Sequence, residues 1–234
     1  MNSEFSFYQF SQTIESGSDY CDIALSVCFG SDIAFFVEEA IVGISYCTMS
    51  GDVIKSATNV GSGMFVKLTD DLSEILANGD CFRIKVNNYF SNIFRYVSGD
   101  ETSLLEYRCN ESQFGFNYNA TEEKNKVRLP IRLYNPKYPQ DEKVYIKSTG
   151  DRKVLYAKID KEWNLETEYM PELIHEKIIV ALSHDLVLID GEKVTKSDTY
   201  EIDWENYIDG DCAGKLAKAT CKVQQNKTLR NSNQ

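Results

Sequence analysis

The chain has 234 residues, 42% of them hydrophobic, which suits one large or two small packed domains rather than a disordered chain. The net charge of −11 argues against tight nucleic-acid binding, because affinity for phosphates comes from Lys and Arg. No apolar run reaches the roughly 18 residues of a membrane-spanning helix, and the first residues lack the basic and apolar pattern of a signal peptide.

The charge is distributed unevenly along the chain. Residues 1–120 contain 6 Lys and Arg against 16 Asp and Glu, whereas residues 121–234 contain 19 against 20. The first half therefore carries nearly all of the net negative charge. An acidic surface of this kind is compatible with DNA that slides past without binding.

Short segments of β-forming residues, separated by turn residues, dominate the first half. The predicted strands are residues 22–29, 40–49, 64–68, 81–86, 91–97 and 103–109. In the strand at 81–86, Phe82, Ile84 and Val86 fall on one face and Arg83 and Lys85 on the other. Residues 70–77 are expected to form one short helical turn. This spacing predicts an antiparallel β-sandwich over residues 1–122.

A polar segment at residues 119–126 marks the predicted domain boundary. Residues 123–234 are expected to form an α+β domain, an antiparallel sheet carrying one helix, so the whole chain is predicted to be mainly β with α+β character. Pro136 and Pro139 are expected to mark a loop. Thr149-Gly150-Asp151 and Asp190-Gly191 predict hairpin turns. The expected strands are 127–133, 143–147, 153–160, 163–169, 187–189, 192–194, 200–204 and 216–223.

One helix is predicted near residues 171–183. Pro171 suits its first position, and Ile174, Ile178 and Leu182 recur on one face. His175 and His184 are nine residues apart in the sequence, too far for a pair of metal ligands on one helix face. We expect both histidines to lie on the helix surface or at its end, without a catalytic partner.

The sequence contains no recognisable catalytic, cofactor or metal motif. The segment from Gly210 to Lys215 resembles a phosphate-binding loop, but only three residues separate its glycines and Leu216 stands where Ser or Thr would hold magnesium. Carboxylates are concentrated between residues 198 and 211, and a solvated strand face is favoured over a calcium site. These acids are Asp198, Glu201, Asp203, Glu205, Asp209 and Asp211.

The cysteines of the chain show no sign of disulfide pairing. The seven cysteines contain no CxxC pair, and we expect all of them to be free thiols in a cytoplasmic product.

Residues 224–234 contain one large apolar residue, Leu229, and burying this one side chain would stabilise the segment too little to order it. We therefore expect this segment to lie across a neighbouring subunit.

Residues 65–234 resemble a group of phage proteins. The stretches that carry the resemblance are Gly79-Asp80-Cys81-Phe82-Arg83-Ile84, Ser91-Asn92-Ile93-Phe94-Arg95-Tyr96, Leu104-Leu105-Glu106-Tyr107, Phe114-Gly115-Phe116, Arg128-Leu129-Pro130, Tyr145-Ile146-Lys147-Ser148, Leu165-Glu166-Thr167, Pro171-Glu172, His175-Glu176, Ala181-Leu182-Ser183-His184-Asp185 and Tyr200-Glu201-Ile202-Asp203-Trp204. They are similar to proteins of Bacteroides phages and prophages, including crAss-like phages, where such chains appear among the virion components. Because the resemblance contains no catalytic motif, it implies a role and no site residues.

The role that this resemblance implies is a structural neck or tail ring subunit of the virion. Its partners would be further copies of itself in a ring and other neck or tail proteins, with DNA passing through a channel. It would be found in the virion, and in the host cytoplasm during assembly. An adhesin or carbohydrate-binding module of a phage tail is the alternative, which aromatic residues on one exposed concave face would favour. An enzyme such as a cell-wall hydrolase comes third and would need a deep pocket with paired carboxylates or histidines.

Overall fold

The computed structural model describes residues 6–12, 14, 25–27, 32–37, 39–97, 102–110, 122–210, 214–225 and 229–230. They include one α-helix, α1 (Glu172–Leu182), a 3-10 turn (Leu72–Glu74) and a series of short strands. In chain order the strands are β1 (Phe10–Ser11), β2 (Leu25–Val27), β3 (Ala34–Phe36), β4 (Ile44–Cys47), β5 (Val53–Ser56), β6 (Phe65–Lys67), β7 (Cys81–Val86), β8 (Tyr89–Ser91), β9 (Phe94–Tyr96), β10 (Ser103–Arg108), β11 (Asn125–Leu129), β12 (Ile131–Lys137), β13 (Gln140–Ile146), β14 (Arg152–Ile159), β15 (Glu162–Thr167), β16 (Met170–Pro171), β17 (Leu186–Ile189), β18 (Glu192–Lys196), β19 (Glu201–Gly210), β20 (Gly214–Gln225) and β21 (Leu229–Arg230).

The fold is mainly β with α+β character, as the sequence predicts. Every described strand pair is antiparallel except β2 with β9, which run parallel. Eighteen strands form one hydrogen-bonded network, and β13, β14 and β21 form a separate three-stranded sheet. Among the described residues, no helix has the length and apolar character needed to cross a bilayer.

The hydrogen-bonded network runs across the predicted boundary between residues 122 and 123. Strand β10 pairs on one side with β11 and on the other with β17, and β11 also pairs with β2 and β3. The buried hydrophobic cluster likewise extends from Phe7 to Val223. The sheet therefore has no break at the position where the sequence predicts separate domains.

The predicted first-half strands contain β2, β4, β6, β7, β9 and β10, whereas β1, β3 and β5 were not predicted. Alternation identified one buried face of β7 but not the burial of the opposite face. Phe82, Ile84 and Val86 are buried as expected, but Arg83 on the opposite face is buried as well. Its Nη1 donates to the carbonyl oxygen of Ser91 at 2.7 Å. This hydrogen bond replaces one that the guanidinium group would make to water if it were exposed. The predicted helical turn at 70–77 is the 3-10 turn Leu72–Glu74.

The second half follows its predicted hairpins closely. Trp163, Leu165 and Thr167 are buried along one face of β15. Asp190 and Gly191 have φ angles of 50° and 80°, the left-handed pair that a two-residue turn between β17 and β18 requires. Strands β13 and β14 pair as the predicted hairpin around Thr149-Gly150-Asp151.

The proline predictions need two corrections. Pro136 was expected in a loop but lies within β12, beside a register irregularity between Tyr134 and Lys137. Within the described residues β12 pairs only with β15. Its other edge pairs with no strand, so the N–H that Pro136 lacks is not needed for a hydrogen bond there. Pro171 was expected at the first helical position, but it is the extended N-cap residue of α1 and pairs with Leu216 of β20.

The expectation that every cysteine is a free thiol is wrong, because Cys81 is disulfide-bonded. Cys47, Cys109 and Cys221 are buried thiols. Since one disulfide removes two of the seven thiols, we expect denatured, unreduced protein to titrate at most five thiols and reduced protein to titrate seven. Seven thiols before reduction would show that Cys81 is not oxidised.

The expected docking of residues 224–234 on another subunit is also wrong for the part that the structure describes. Gln224 and Gln225 belong to β20 and pair with β15 and β18 of the same chain. Leu229 and Arg230 form β21, which pairs with β14. Backbone hydrogen bonds between β21 and β14 therefore order Leu229 and Arg230. Burial of the Leu229 side chain alone was not expected to do so.

Candidate functional site

Both histidines are buried, so the prediction of a surface position is wrong, whereas His184 does lie at the helix end as predicted. His175 is fully buried and His184 is 6% exposed. They lie on α1 and directly after it, where β20 covers one flank of the helix and β10 another. Helical periodicity did not reveal this, because it treats histidine as polar whatever the helix packs against.

His175 is held by two hydrogen bonds as a neutral ring. Its Nε2 lies 3.0 Å from the carbonyl oxygen of Ala217, which can only accept, so Nε2 carries the proton. Its Nδ1 lies 2.8 Å from the hydroxyl of Tyr200 and accepts from it. Burial lowers the pKa of His175 below its ordinary value, although the bond to Ala217 opposes this. A buried ring with both nitrogens engaged is a packing element between α1 and the β19–β20 pair.

His184 is held at the end of the same helix. Its Nδ1 lies 2.8 Å from the carbonyl oxygen of Val180, and its ring packs edge-on against Tyr107 at a centroid distance of 4.9 Å. Burial also lowers the pKa of His184. Each histidine therefore has contacts typical of a structural role.

Lys177 is a buried cation that sequence reasoning missed. It is 4% exposed, and no ion pair joins its ammonium group to any residue in the described part of the chain. Burial lowers its pKa from 10.5 to about 8, although Glu176 beside it opposes this shift. The folded state therefore binds this proton more weakly than the unfolded state does.

We expect Lys177→Met to stabilise the protein at neutral pH. Between about pH 8 and 10.5 the unfolded wild type binds the proton that the folded state releases, so wild-type stability should rise with pH across this window. The shift corresponds to roughly 3 kcal/mol, a pH-dependent rise in the free energy of unfolding that the variant should lack. Urea unfolding from pH 7 to 10.5 measures it, with exposed Lys193→Met as the matched control. Equal pH slopes for wild type and Lys177→Met would refute the assignment.

The carboxylates between residues 198 and 209 are exposed, as expected for a solvated strand face. Lys222 lies 3.2 Å from Asp198. No group of three or more His, Cys, Asp or Glu side chains in the described ranges is arranged to hold a metal ion. Gly210 pairs with Gly214, so the segment that resembles a phosphate-binding loop connects two antiparallel strands, with residues 211–213 outside the description.

The largest exposed apolar side chains form three groups along the chain. The first lies in the first half and the second on the β13–β14 hairpin, while the third surrounds the N-terminus of α1. In this order the groups are Val42, Val53, Ile54 and Val60; Tyr138, Tyr145, Ile146 and Val154; and Tyr169, Leu173, Tyr207 and Ile208. Grouped apolar residues on a surface indicate contact sites, whereas single ones are ordinary.

The second group lies on a projecting arm, which we define as residues 137–161. The arm continues the β12–β15 ribbon beyond its last pair, Lys137 with Glu162. Val144 pairs with Val154, so these two side chains share one face of the hairpin with Ile146. Ile146 is 67% exposed, and Val144 is half-buried. The arm contains seven Lys and Arg against four Asp and Glu, which makes it basic in an acidic protein.

Leu173 of the third group lines a surface cleft of about 740 Å³, which we call the helix cleft. Trp204 of β19 is half-buried in its wall, and Lys215 lies 4.2 Å from the centre of the neighbouring Tyr207 ring. The residues that line it are Pro171, Glu172, Leu173, Glu176, Trp204 and Lys215. Aromatic and aliphatic side chains flanked by carboxylates can bind an apolar partner that carries positive charge.

Comparison of the chain with family models, with curated proteins and with solved structures finds no match. The candidate surfaces are therefore assigned from geometry and chemistry. Sequence patterns identified the hairpin and the helix that form them. No pattern signalled which apolar residues the folded chain leaves uncovered.

Proposed function

We propose that this chain is a non-catalytic structural subunit of a bacteriophage virion, part of a ring in the neck or tail around a DNA channel. The observation that carries the proposal is the presence of two different apolar surfaces on one chain, the arm beyond one end of β20 and the helix cleft at the other end. A ring subunit needs two unlike surfaces, because each copy contacts one neighbour on either side. The resemblance of residues 65–234 to virion components supplies the phage context.

The charge of the first half supports the same role. Its described surface carries exposed carboxylates at Glu39, Asp52, Asp71, Glu74 and Asp80. Such a surface repels phosphates, so DNA can move past it without binding. Within a ring, these acids would face the channel.

Copy number in purified particles tests the proposal. Quantitative mass spectrometry against a labelled standard should find several copies of the 26.7 kDa chain per particle, at a fixed ratio to the capsid protein. Washing the particles with high salt controls for loosely attached host proteins. Loss of the chain on washing, or one copy per particle, would contradict a ring subunit.

A second candidate function rests on Trp204 in the wall of the helix cleft. Trp204 lines the cleft together with Glu172 and Glu176, and a tryptophan flanked by carboxylates can stack on a sugar ring and hydrogen-bond its hydroxyls. This favours the carbohydrate-binding module of a tail. Titration of intrinsic tryptophan fluorescence with host surface polysaccharide tests it, and saturable quenching that Leu173→Arg removes would support it.

A further inference from the structure

We propose that the arm of one copy binds the helix cleft of the next copy, head to tail. This inference rests on the proposed ring and names the two surfaces that close it. The partner is a second copy of this chain, and three properties of the two surfaces support that choice.

The two surfaces complement each other in chemistry. The arm presents Val144, Ile146 and Val154 on one face and has an excess of three positive charges. The helix cleft presents Leu173 and Trp204 beside Glu172 and Glu176. Strand β19 next to it has four carboxylates and no Lys or Arg. Apolar contact would supply the affinity, and the opposite charges would set the orientation.

The arm also has the size of a complete interface. It contains 25 residues, and stable protein contacts use roughly 20–30 residues on each side. The apolar face of the arm is uncovered, and an uncovered apolar face of this size indicates a binding site for a specific partner.

The base of the arm and the helix cleft lie at opposite ends of strand β20. Along β20, Gln224 pairs with Glu162 at the base of the arm, whereas Leu216 pairs with Pro171 at the helix cleft. Eight strand residues separate these points, which is about 27 Å. The arm leaves the sheet from the end remote from the cleft, so the arm meets the cleft of another copy rather than its own. A contact between unlike surfaces closes into a ring when the rotation between neighbours permits.

Analytical ultracentrifugation of the full chain tests this with two disabling variants. Ile146→Asp/Val154→Asp puts charge on the exposed face of the arm, and Leu173→Arg/Ile208→Arg puts charge at the rim of the helix cleft. Each variant is expected to weaken self-association at least about thirtyfold, because it introduces charge into an apolar contact. Val60→Asp, at a comparably exposed valine of the first half, should leave self-association unchanged. Circular dichroism melts establish that all variants fold.

Mixing the two variants gives the decisive result. The arm variant keeps an intact cleft and the cleft variant keeps an intact arm. Together they should form a 1:1 dimer of twice the 26.7 kDa chain mass and nothing larger. Absence of this dimer, unchanged assembly of either variant alone, or a wild type that stays monomeric at its highest soluble concentration would each overturn the arm-to-cleft contact. None of these results alters the copy number in particles, so failure of this contact is distinguishable from failure of the proposed ring.

Discussion

Asp70→Ala is expected to lower the free energy of unfolding by roughly 3–5 kcal/mol. The Asp70 side chain is 4% exposed and lies between β4, β5 and the 3-10 turn. Its carboxylate accepts from the Tyr46 hydroxyl at 2.9 Å, and from the backbone N–H and the hydroxyl of Thr58 at 2.8 and 3.0 Å. Alanine would leave these three donors without their acceptor inside the fold.

Stability should also depend on pH through Asp70. Burial by itself would raise the pKa of this carboxyl, but the hydrogen bonds from Thr58 and Tyr46 hold it below its ordinary value of 3.8. The contribution is therefore complete above about pH 4 and is lost as pH falls through the folded-state pKa. Urea unfolding between pH 3 and 7 should show a shallower acid slope for Asp70→Asn, whereas exposed Asp52→Asn should keep the wild-type slope. A loss under about 0.5 kcal/mol in Asp70→Ala would contradict the network.

His175→Ala is the second large effect, with an expected loss of roughly 3–4 kcal/mol. The substitution leaves a cavity in the core and removes the partner of both the Ala217 carbonyl and the Tyr200 hydroxyl. Because burial lowers the pKa of His175, wild-type stability should fall as pH drops below about 6.5, and the variant should lack this dependence.

Urea unfolding of a double-mutant cycle isolates the hydrogen bond from the cavity. Tyr200→Phe alone should cost about 1 kcal/mol, and its effect should shrink in the His175→Ala background. Leu173→Ala, on the exposed side of the same helix, should cost less than about 0.5 kcal/mol. If His175→Ala costs no more than this helix control, the ring is not the packing element described here.

Local patterns were sufficient to predict the features that depend on neighbouring residues. Alternation placed Phe82 and Ile84 on one face of β7, which is buried, and Asp190-Gly191 identified a hairpin turn. Burial that depends on distant segments was missed. His175 contacts residues 25 and 42 positions away, and only the tertiary fold brings these to the helix. Arg83 of β7 is another residue whose burial was missed. It lies on the face opposite Phe82 and Ile84, and the fold covers that face of the strand too.

The candidate surfaces show where sequence information ends. The hairpin around Gly150 and the helix near Pro171 were predicted, but the exposure of Ile146 and Leu173 was not. An apolar residue in a strand or helix has the same sequence signal whether its face is packed or left open. Which face remains open depends on how distant segments pack in the folded chain.

A reconstruction of the assembled particle tests the central claim most directly. The neck or tail should contain a closed ring of several copies of this chain around the DNA channel, with the exposed acids of its first half facing that channel. One isolated copy, or a particle without the chain, would contradict the claim that it is a ring subunit of the virion.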